Sequence, residues 1–465
     1  MSQSLSQSAV AYFDANKNHF LDDLKALIRI PSISFPGFPA SEVNRCAQAV
    51  AGQMKEYGLE NVQILTVGDA HPYVYGEWLH APGKPTVLLY AHHDVQPVGN
   101  EALWKSPPFE PTERDGRLYA RGSADDKAGI SVHLAAIASY LKTSGKLPLN
   151  VKVIIEGEEE IGSEHLESFV TKHKSLLQAD AMILTDTANF DTGIPALTVS
   201  LRGMVSLILE VRALEHSLHS GLWGGPIPDP AMALSKLLAS LTDNEGRLAI
   251  EGLWDQVRPL TEQERQEFNS LPYNEAEFRV QSSLLSSVPL RPGKNGKVEV
   301  YAQLWREPSL SINAIEVGNR KQVANIVAAS AWARLGIRIV PDMDPEAVMK
   351  ALESHLKKHC PWGLELHLQP ESSAKSWGTI PKGPAFDAAV EALEKGYGRK
   401  PVFMGVGGTI PFVEPLSAAL GGIPALLMGV EDPYTNPHSE NESLHLGDWD
   451  KAIRSAIYFY EMFGK

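Results

Sequence analysis

Five segments of this sequence carry the residue types from which a cation site or an acid–base catalyst can be built. The first is Tyr90-Ala91-His92-His93-Asp94. Residues two apart in an extended segment face the same way, so His92 and Asp94 can share a face. A carboxylate that takes one ring N–H fixes the tautomer a metal-binding imidazole needs. Taken alone, the segment reads more readily as a surface histidine at a strand end. The second is Ala124-Asp125-Asp126-Lys127. Adjacent carboxylates repel unless a cation compensates them, although Asp is also at home in the first turn of a helix. The third runs from Glu156 through Glu158 and Glu159 to Glu160, four acids in five residues. Such a loop beside a core is unfavourable without positive charge. The fourth places Asp186 just past an apolar run, and the fifth holds His438, Glu440 and Glu442. Each alone is weak. Together they offer two imidazoles and at least three carboxylates, a mixed N/O set that suits zinc, cobalt or manganese. One carboxylate can also bridge two ions about 3.5–4 Å apart.

These segments stand at the ends of predicted strands. The apolar runs 86–91, 151–155 and 181–184 are short and continuous, the pattern of strands buried on both faces. Helical spacing marks 7–29, 42–57, 127–142 and 163–176. Strands alternating with helices imply an α/β layer structure with a mainly parallel sheet, and in such sheets sites form at the carboxyl ends of the strands. Near residue 196 the pattern changes. Residues 197–212 alternate, a helix at 230–241 follows three prolines, and a strand at 333–340 leads to a helix at 345–358 that Asp344-Pro345 opens. A strand at 363–369 closes this α+β stretch, and residues 243–320 read as irregular. Helix 384–396, the apolar run 422–428 and helix 447–463 return to the first style.

A chain of 465 residues is long enough for two domains. Its 43% hydrophobic and 21% charged residues are ordinary for a globular protein. A net charge of -14, from 42 basic and 56 acidic residues, argues against nucleic acid as a partner. Two cysteines, Cys46 and Cys360, give no disulfide framework and fit a reducing compartment. The first residues lack a basic start followed by an apolar run, and no stretch approaches the ~20 apolar residues that span a bilayer. The expectation is a cytoplasmic protein with no membrane partner.

Taken in order, the five segments resemble the metallopeptidase family M20, which includes aminoacylases, carnosinase-type dipeptidases and glutamate carboxypeptidases. The H-x-D at His92, the A-D-D-K around Asp125, the E-E-x-G-S from Glu159 and the H-S-x-N-E from His438 carry the resemblance jointly. It runs from about residue 10 to the end of the sequence. Leu218-His219-Ser220-Gly221, Ile337-Arg338-Ile339-Val340-Pro341 and Gly407-Gly408-Thr409-Ile410-Pro411 are similar to the carnosinase-like dipeptidase subgroup. The resemblance implies a mainly parallel α/β zinc-peptidase catalytic domain over 1–198 and 382–465, with an α+β, ferredoxin-like lid and dimerisation domain inserted at 199–381. It implies two divalent ions, zinc by preference, with manganese or cobalt as alternatives. Asp125 would bridge them, His92 and Asp186 would complete one site, and Glu160 and His438 the other. Asp94 would orient His92, Glu159 would be the general base, and the Asp125–Asp126 peptide would be cis. His219 would stabilise the oxyanion in the partner subunit of a homodimer. Arg338 would clamp the substrate's terminal carboxylate, and Asn325 and Thr409 would touch the substrate. The implied activity is hydrolysis of the amide bond of dipeptides or short peptides by metal-activated water. Asp rather than Glu at position 186 leans toward dipeptidases or aminopeptidases, and away from carboxypeptidases or deacylases. The alternative is an N-acyl or N-carbamoyl amino acid amidohydrolase using the same site. One departure stands out: the subgroup usually carries Arg-Glu before the Gly-Gly pair, and this sequence has Gly405 and Val406. The side-chain preference is therefore expected to differ from that for carnosine.

Overall fold

The structure, a computed structural model, describes residues 4–318, 323–408, 410 and 413–465, with Ser372 and Glu414 described by their backbone alone. The chain forms two compact units. The first comprises Met1–Val199, Ile380–Met404 and Phe412–Lys465, and the second Ser200–Thr379 with Gly405–Pro411.

In the first unit the continuous apolar runs become the centre of a sheet. Asn150–Glu156, Thr86–His92, Ala181–Leu184 and Ala425–Leu427 lie side by side in that order, all parallel. Glu60–Leu65 and Tyr73–Trp78 extend one side antiparallel, and Ala196–Leu201 the other. The sheet is thus parallel at its centre and antiparallel at its flanks. From Val87 to His92 every residue is buried, as parallel strands covered on both faces require. Helix Lys127–Ser144 is apolar nearly all round and buried from Lys127 to Tyr140, the condition of a helix with neighbours on every side. It ends at Gly145 in the left-handed conformation, where glycine has no steric cost. Helices Leu5–Ile28 and Leu446–Phe463 pack on it, and Pro384–Tyr397 packs on the latter. One core joins them through Phe13, Leu24, Leu89, Ile130, Val151 and Trp449. No described helix is long and apolar enough to cross a membrane.

The second unit follows the order strand, helix, strand, strand, helix, strand. Its strands Gly203–Arg212, Ser309–Glu316, Ser330–Ile339 and Glu365–Ala374 form an antiparallel sheet in which Ser330–Ile339 and Glu365–Ala374 flank Gly203–Arg212. Helices Pro230–Ala239 and Pro345–His359 pack on it. This is the ferredoxin-like arrangement. Alternation sets its core: Val205, Leu207, Leu209 and Val211 face Ala333, Leu335 and Ile337 in a second buried cluster. Residues 243–320 correct the expectation of irregular chain. They contain helices Glu262–Ser270, Glu275–Gln281 and Val300–Arg306 and the whole of the edge strand Ser309–Glu316. Glu262–Ser270 buries none of its residues and is held by a capping box between Thr261 and Glu264, so no apolar stripe announced it.

Candidate metal centre

The acidic and histidine segments converge at the carboxyl ends of the parallel strands of the first unit. His92 is the last residue of Thr86–His92, and Asp186 follows Ala181–Leu184 by two residues. Glu159 and Glu160 open a short 3-10 turn after Asn150–Glu156. Asp125 stands between the two histidines: its Oδ1 lies 3.1 Å from His92 Nε2 and its Oδ2 3.1 Å from His438 Nε2. His92 Nε2 is also 3.9 Å from Asp186, and His438 Nε2 is 3.3 Å from Glu160. Donor atoms of His92, Glu159 and Asp186 lie within 4.8 Å of one another, as do those of Asp125, Glu160 and His438. The Asp125–Asp126 peptide is cis.

Charge decides what this arrangement can hold. Burial pushes the Glu159 carboxyl up to about 7, and the negative charge of Asp125 and Asp94 adds to the effect. Burial likewise raises Asp186, with Glu159 reinforcing it, and Glu160, with Asp125 reinforcing it. Burial opposes ionisation of Asp125 too, but hydrogen bonds from His438 and His92 hold it below the usual carboxylate range. So many carboxyl groups cannot ionise together in a dry site without positive charge. The buried Asp126 Oδ1 has no hydrogen-bond partner among the described residues. An imidazole and carboxylates on each side, with no thiolate, fit divalent ions such as zinc, manganese or cobalt.

A second layer fixes these groups. Asp94 lies beside His92 Nδ1, which is 3.1 Å from its carbonyl oxygen and 3.4 Å from its carboxylate. That carboxylate also accepts from the Ser34 hydroxyl (2.7 Å) and from the backbone N–H groups of Glu159 (3.2 Å) and Glu160 (3.1 Å). It therefore ties the strand end to the acidic turn. Glu160 is held by Gln96, which donates its backbone N–H (3.0 Å) and its side-chain amide (2.7 Å). Glu442, fully buried, accepts from Arg121 (2.8 Å) and from the backbone of Gly122, Ala124 and Asp125. Lys127 is buried, and its ammonium caps the end of helix Leu5–Ile28 through Leu27 and Ile30 carbonyls. The lysine of A-D-D-K is thus an anchor for the turn. Nothing in local spacing marks Ser34, Gln96 or Arg121, because their partners lie far off in sequence.

Beyond the acidic turn, Glu156 receives the Tyr90 hydroxyl at 2.6 Å. Tyr73 lies between Glu156 (3.2 Å) and Glu158 (2.9 Å). One hydroxyl can donate only once. Burial pushes Glu156 up to about 8, so near neutrality it holds a proton it can donate to Tyr73, which donates onward to Glu158. A third acidic group, Asp432, His445 and Asp448, also brings ligand atoms together. There Asp432 takes two hydrogen bonds of 2.8 Å from Arg117. Asp448 takes the Gly193 N–H at 2.7 Å and has Lys451 at 3.5 Å. That cluster is neutralised within the protein.

The remaining residues implicated by the sequence lie in the second unit. His219 is exposed, and its Nδ1 accepts the Gly221 N–H at 3.1 Å. Arg338 sits half-buried on Ser330–Ile339 opposite Met204 and Ser309, and burial lowers its pKa. Asn325 is exposed, with its carbonyl accepting the Ser220 N–H. Thr409 lies outside the described residues. The Gly405 departure has a packing reason: a Cβ there would sit 2.6 Å from Trp305 Cβ and 2.8 Å from Ser200 Oγ. No side chain fits, arginine least of all.

Comparison with known proteins adds the ancestry. The sequence pattern of peptidase family M20/M25/M40 matches residues 88–462. The chain belongs to this family. Among M20 relatives, the cysteinylglycine-S-conjugate dipeptidase of Corynebacterium striatum is 30% identical over 452 residues, spanning 97% of this chain and 96% of that one. The solved structure of the dipeptidase Dug1p from Saccharomyces cerevisiae superposes with a TM-score of 0.86 at 27% identity, covering 100% of this chain and 99% of the other. Human carnosine dipeptidase 1 superposes at 0.87 with 27% identity over the whole of both chains.

Proposed function

We propose that this M20 chain is a two-metal dipeptidase whose ions share Asp125. The observation that carries the reading is the placement of that carboxylate, one oxygen toward each histidine at 3.1 Å, with a further carboxylate beside each histidine. Relatives matching over nearly the full length are named as dipeptidases, and the alternative amidohydrolase reading gains less. The hydantoinase/carbamoylase amidase of Burkholderia multivorans shares only 13% identity at a TM-score of 0.57, a likeness of fold.

In this reading His92, Asp125 and Asp186 would hold one ion, and Asp125, Glu160 and His438 the other. When bound, two divalent ions would supply Lewis acidity and lower the pKa of a water. Zinc is the first choice for a mixed N/O set. Glu159 is the proton carrier. Its carboxyl, pushed to about 7, can take a proton from the attacking water and return it to the leaving amine near neutral pH. Asp94 keeps the His92 ring in place and holds the backbone of Glu159. His219 would stabilise the oxyanion, across the interface of a homodimer, and Arg338 would grip the substrate carboxylate in two-pronged fashion. Asn325 and Thr409 are assigned further substrate contacts. The unpaired Cys46 and Cys360 fit a cytoplasmic setting.

The test measures metal content and hydrolysis of a dipeptide panel on one purified sample, before and after chelation and metal return. About two ions per chain, with activity lost and then restored, is the expected result. Metal without cleavage of any dipeptide, but with cleavage of N-acetyl or N-carbamoyl amino acids, would transfer the site to the amidohydrolase reading.

A further inference from the structure

Among the described residues no hydrogen bond reaches the carboxylate of Glu159, so its aim depends on its backbone. From one side Asp94 receives the N–H groups of Glu159 and Glu160. The other side is held by the preceding residue. Glu158 is only 1% exposed, and its carboxylate accepts three hydrogen bonds: from the Tyr73 hydroxyl (2.9 Å), the His165 backbone N–H (3.0 Å) and His165 Nδ1 (3.1 Å). Its own carbonyl takes the Ser163 N–H at 3.1 Å, so the turn closes on Glu158 by main chain and side chain alike.

The two donors are themselves fixed. His165 is the residue preceding helix Leu166–Leu177, and its Nε2 reaches the exposed Asp69 at 3.1 Å. Tyr73 stacks on Phe169 of that helix, with ring centroids 4.0 Å apart and planes 12° from parallel. A strand and a helix that pack on each other therefore each send one group to the same buried carboxylate. Burying a carboxylate is costly unless its lone pairs are met, and here three donors meet them.

We infer that Glu158 is the positioning residue for Glu159, acting through Tyr73 and His165 as an outer clamp that faces the Asp94 clamp across the turn. The inference rests on Glu159 being the proton carrier. Near-attack geometry tolerates little displacement, about 1 Å being worth about a hundredfold in rate. An amide at 158 could not accept all three hydrogen bonds.

The test compares Glu158→Gln, His165→Ala, His165→Asn and Glu159→Gln with the metal-loaded wild type, reading kcat, KM and bound metal. Glu158→Gln should lose about ten- to a hundredfold in kcat with KM within about twofold and metal content unchanged. His165→Ala should lose less, and His165→Asn, whose amide nitrogen can stand in for Nδ1, should recover part of that loss. Wild-type kcat in Glu158→Gln, or a loss explained by missing metal, would overturn the positioning role while leaving the Glu159 assignment intact. A fully active Glu159→Gln would overturn both. If Glu158→Gln fails to fold, the His165 pair decides: equal kcat in the Ala and Asn variants overturns the clamp.

Discussion

At the scale of single residues the centre is a contest between burial and charge. Glu159→Gln should retain bound metal and lose turnover by about two to four orders of magnitude, the usual worth of a general base, with metal analysis and single-turnover rates as the check. Arg121 and Glu442 are buried together, at 1% and 0% side-chain exposure. Removing the acid strands the guanidinium and leaves three backbone N–H groups of the 122–125 turn without their acceptor. Glu442→Ala should therefore cost about 3–5 kcal/mol in denaturant unfolding. Glu156 gives a pH signature. Its folded pKa, about 8, lies above the unfolded value of 4.5. Between these values the folded chain keeps a proton that the unfolded chain has lost. The group's contribution is therefore complete below the unfolded value and disappears as pH rises through 8. Glu156→Gln should flatten the decline in stability between about pH 5 and 8; identical slopes in variant and wild type would refute this.

At the scale of elements, the site is a property of strand ends. Gly129 shows how tightly the helix after Asp126 is set. A Cβ there would lie 2.1 Å from Thr185 Oγ1 and 2.2 Å from Asp126 Oδ1. Gly129→Ala must shift the helix start or displace both side chains, so we expect a loss of about 1–3 kcal/mol together with weakened metal retention, read by dialysis against a chelator. Part of this level is legible in the sequence: His92 directly follows the apolar run 86–91 and Asp186 lies two residues past the run 181–184, and both runs read as buried strands. Asp125 and His438 follow no such run and are marked by their motifs alone. What stays hidden depends on distant pairing. Asp94 suggests a partner for His92, yet nothing in its neighbourhood shows that it also holds Ser34 and the backbone of Glu159. The helices at 262–306 carry too few buried residues for apolar periodicity to mark them. Glu262–Ser270 has no buried residue, and the available clue was its capping box, Thr261 with Glu264.

At the scale of the whole molecule, each unit has a core of its own, and every candidate metal-binding residue belongs to the first. Ions at about a hundredfold excess over their dissociation constants stabilise by about 2.7 kcal/mol per site. Chelation should therefore lower the melting of the first unit and leave that of the second in place, in calorimetry with and without chelator. Equal shifts of both transitions would contradict it. The discontinuous first unit also gives metal loading a direction in time. His92, Asp125, Glu159, Glu160 and Asp186 leave the ribosome early, but the strand Ala425–Leu427 that fits between Ala181–Leu184 and Ala196–Leu201, and His438 itself, come only after the whole second unit. A nascent chain thus carries an open, strongly anionic half-site for most of its synthesis, and a chain halted before residue 425 should fail to retain the pair of ions proposed for the finished protein.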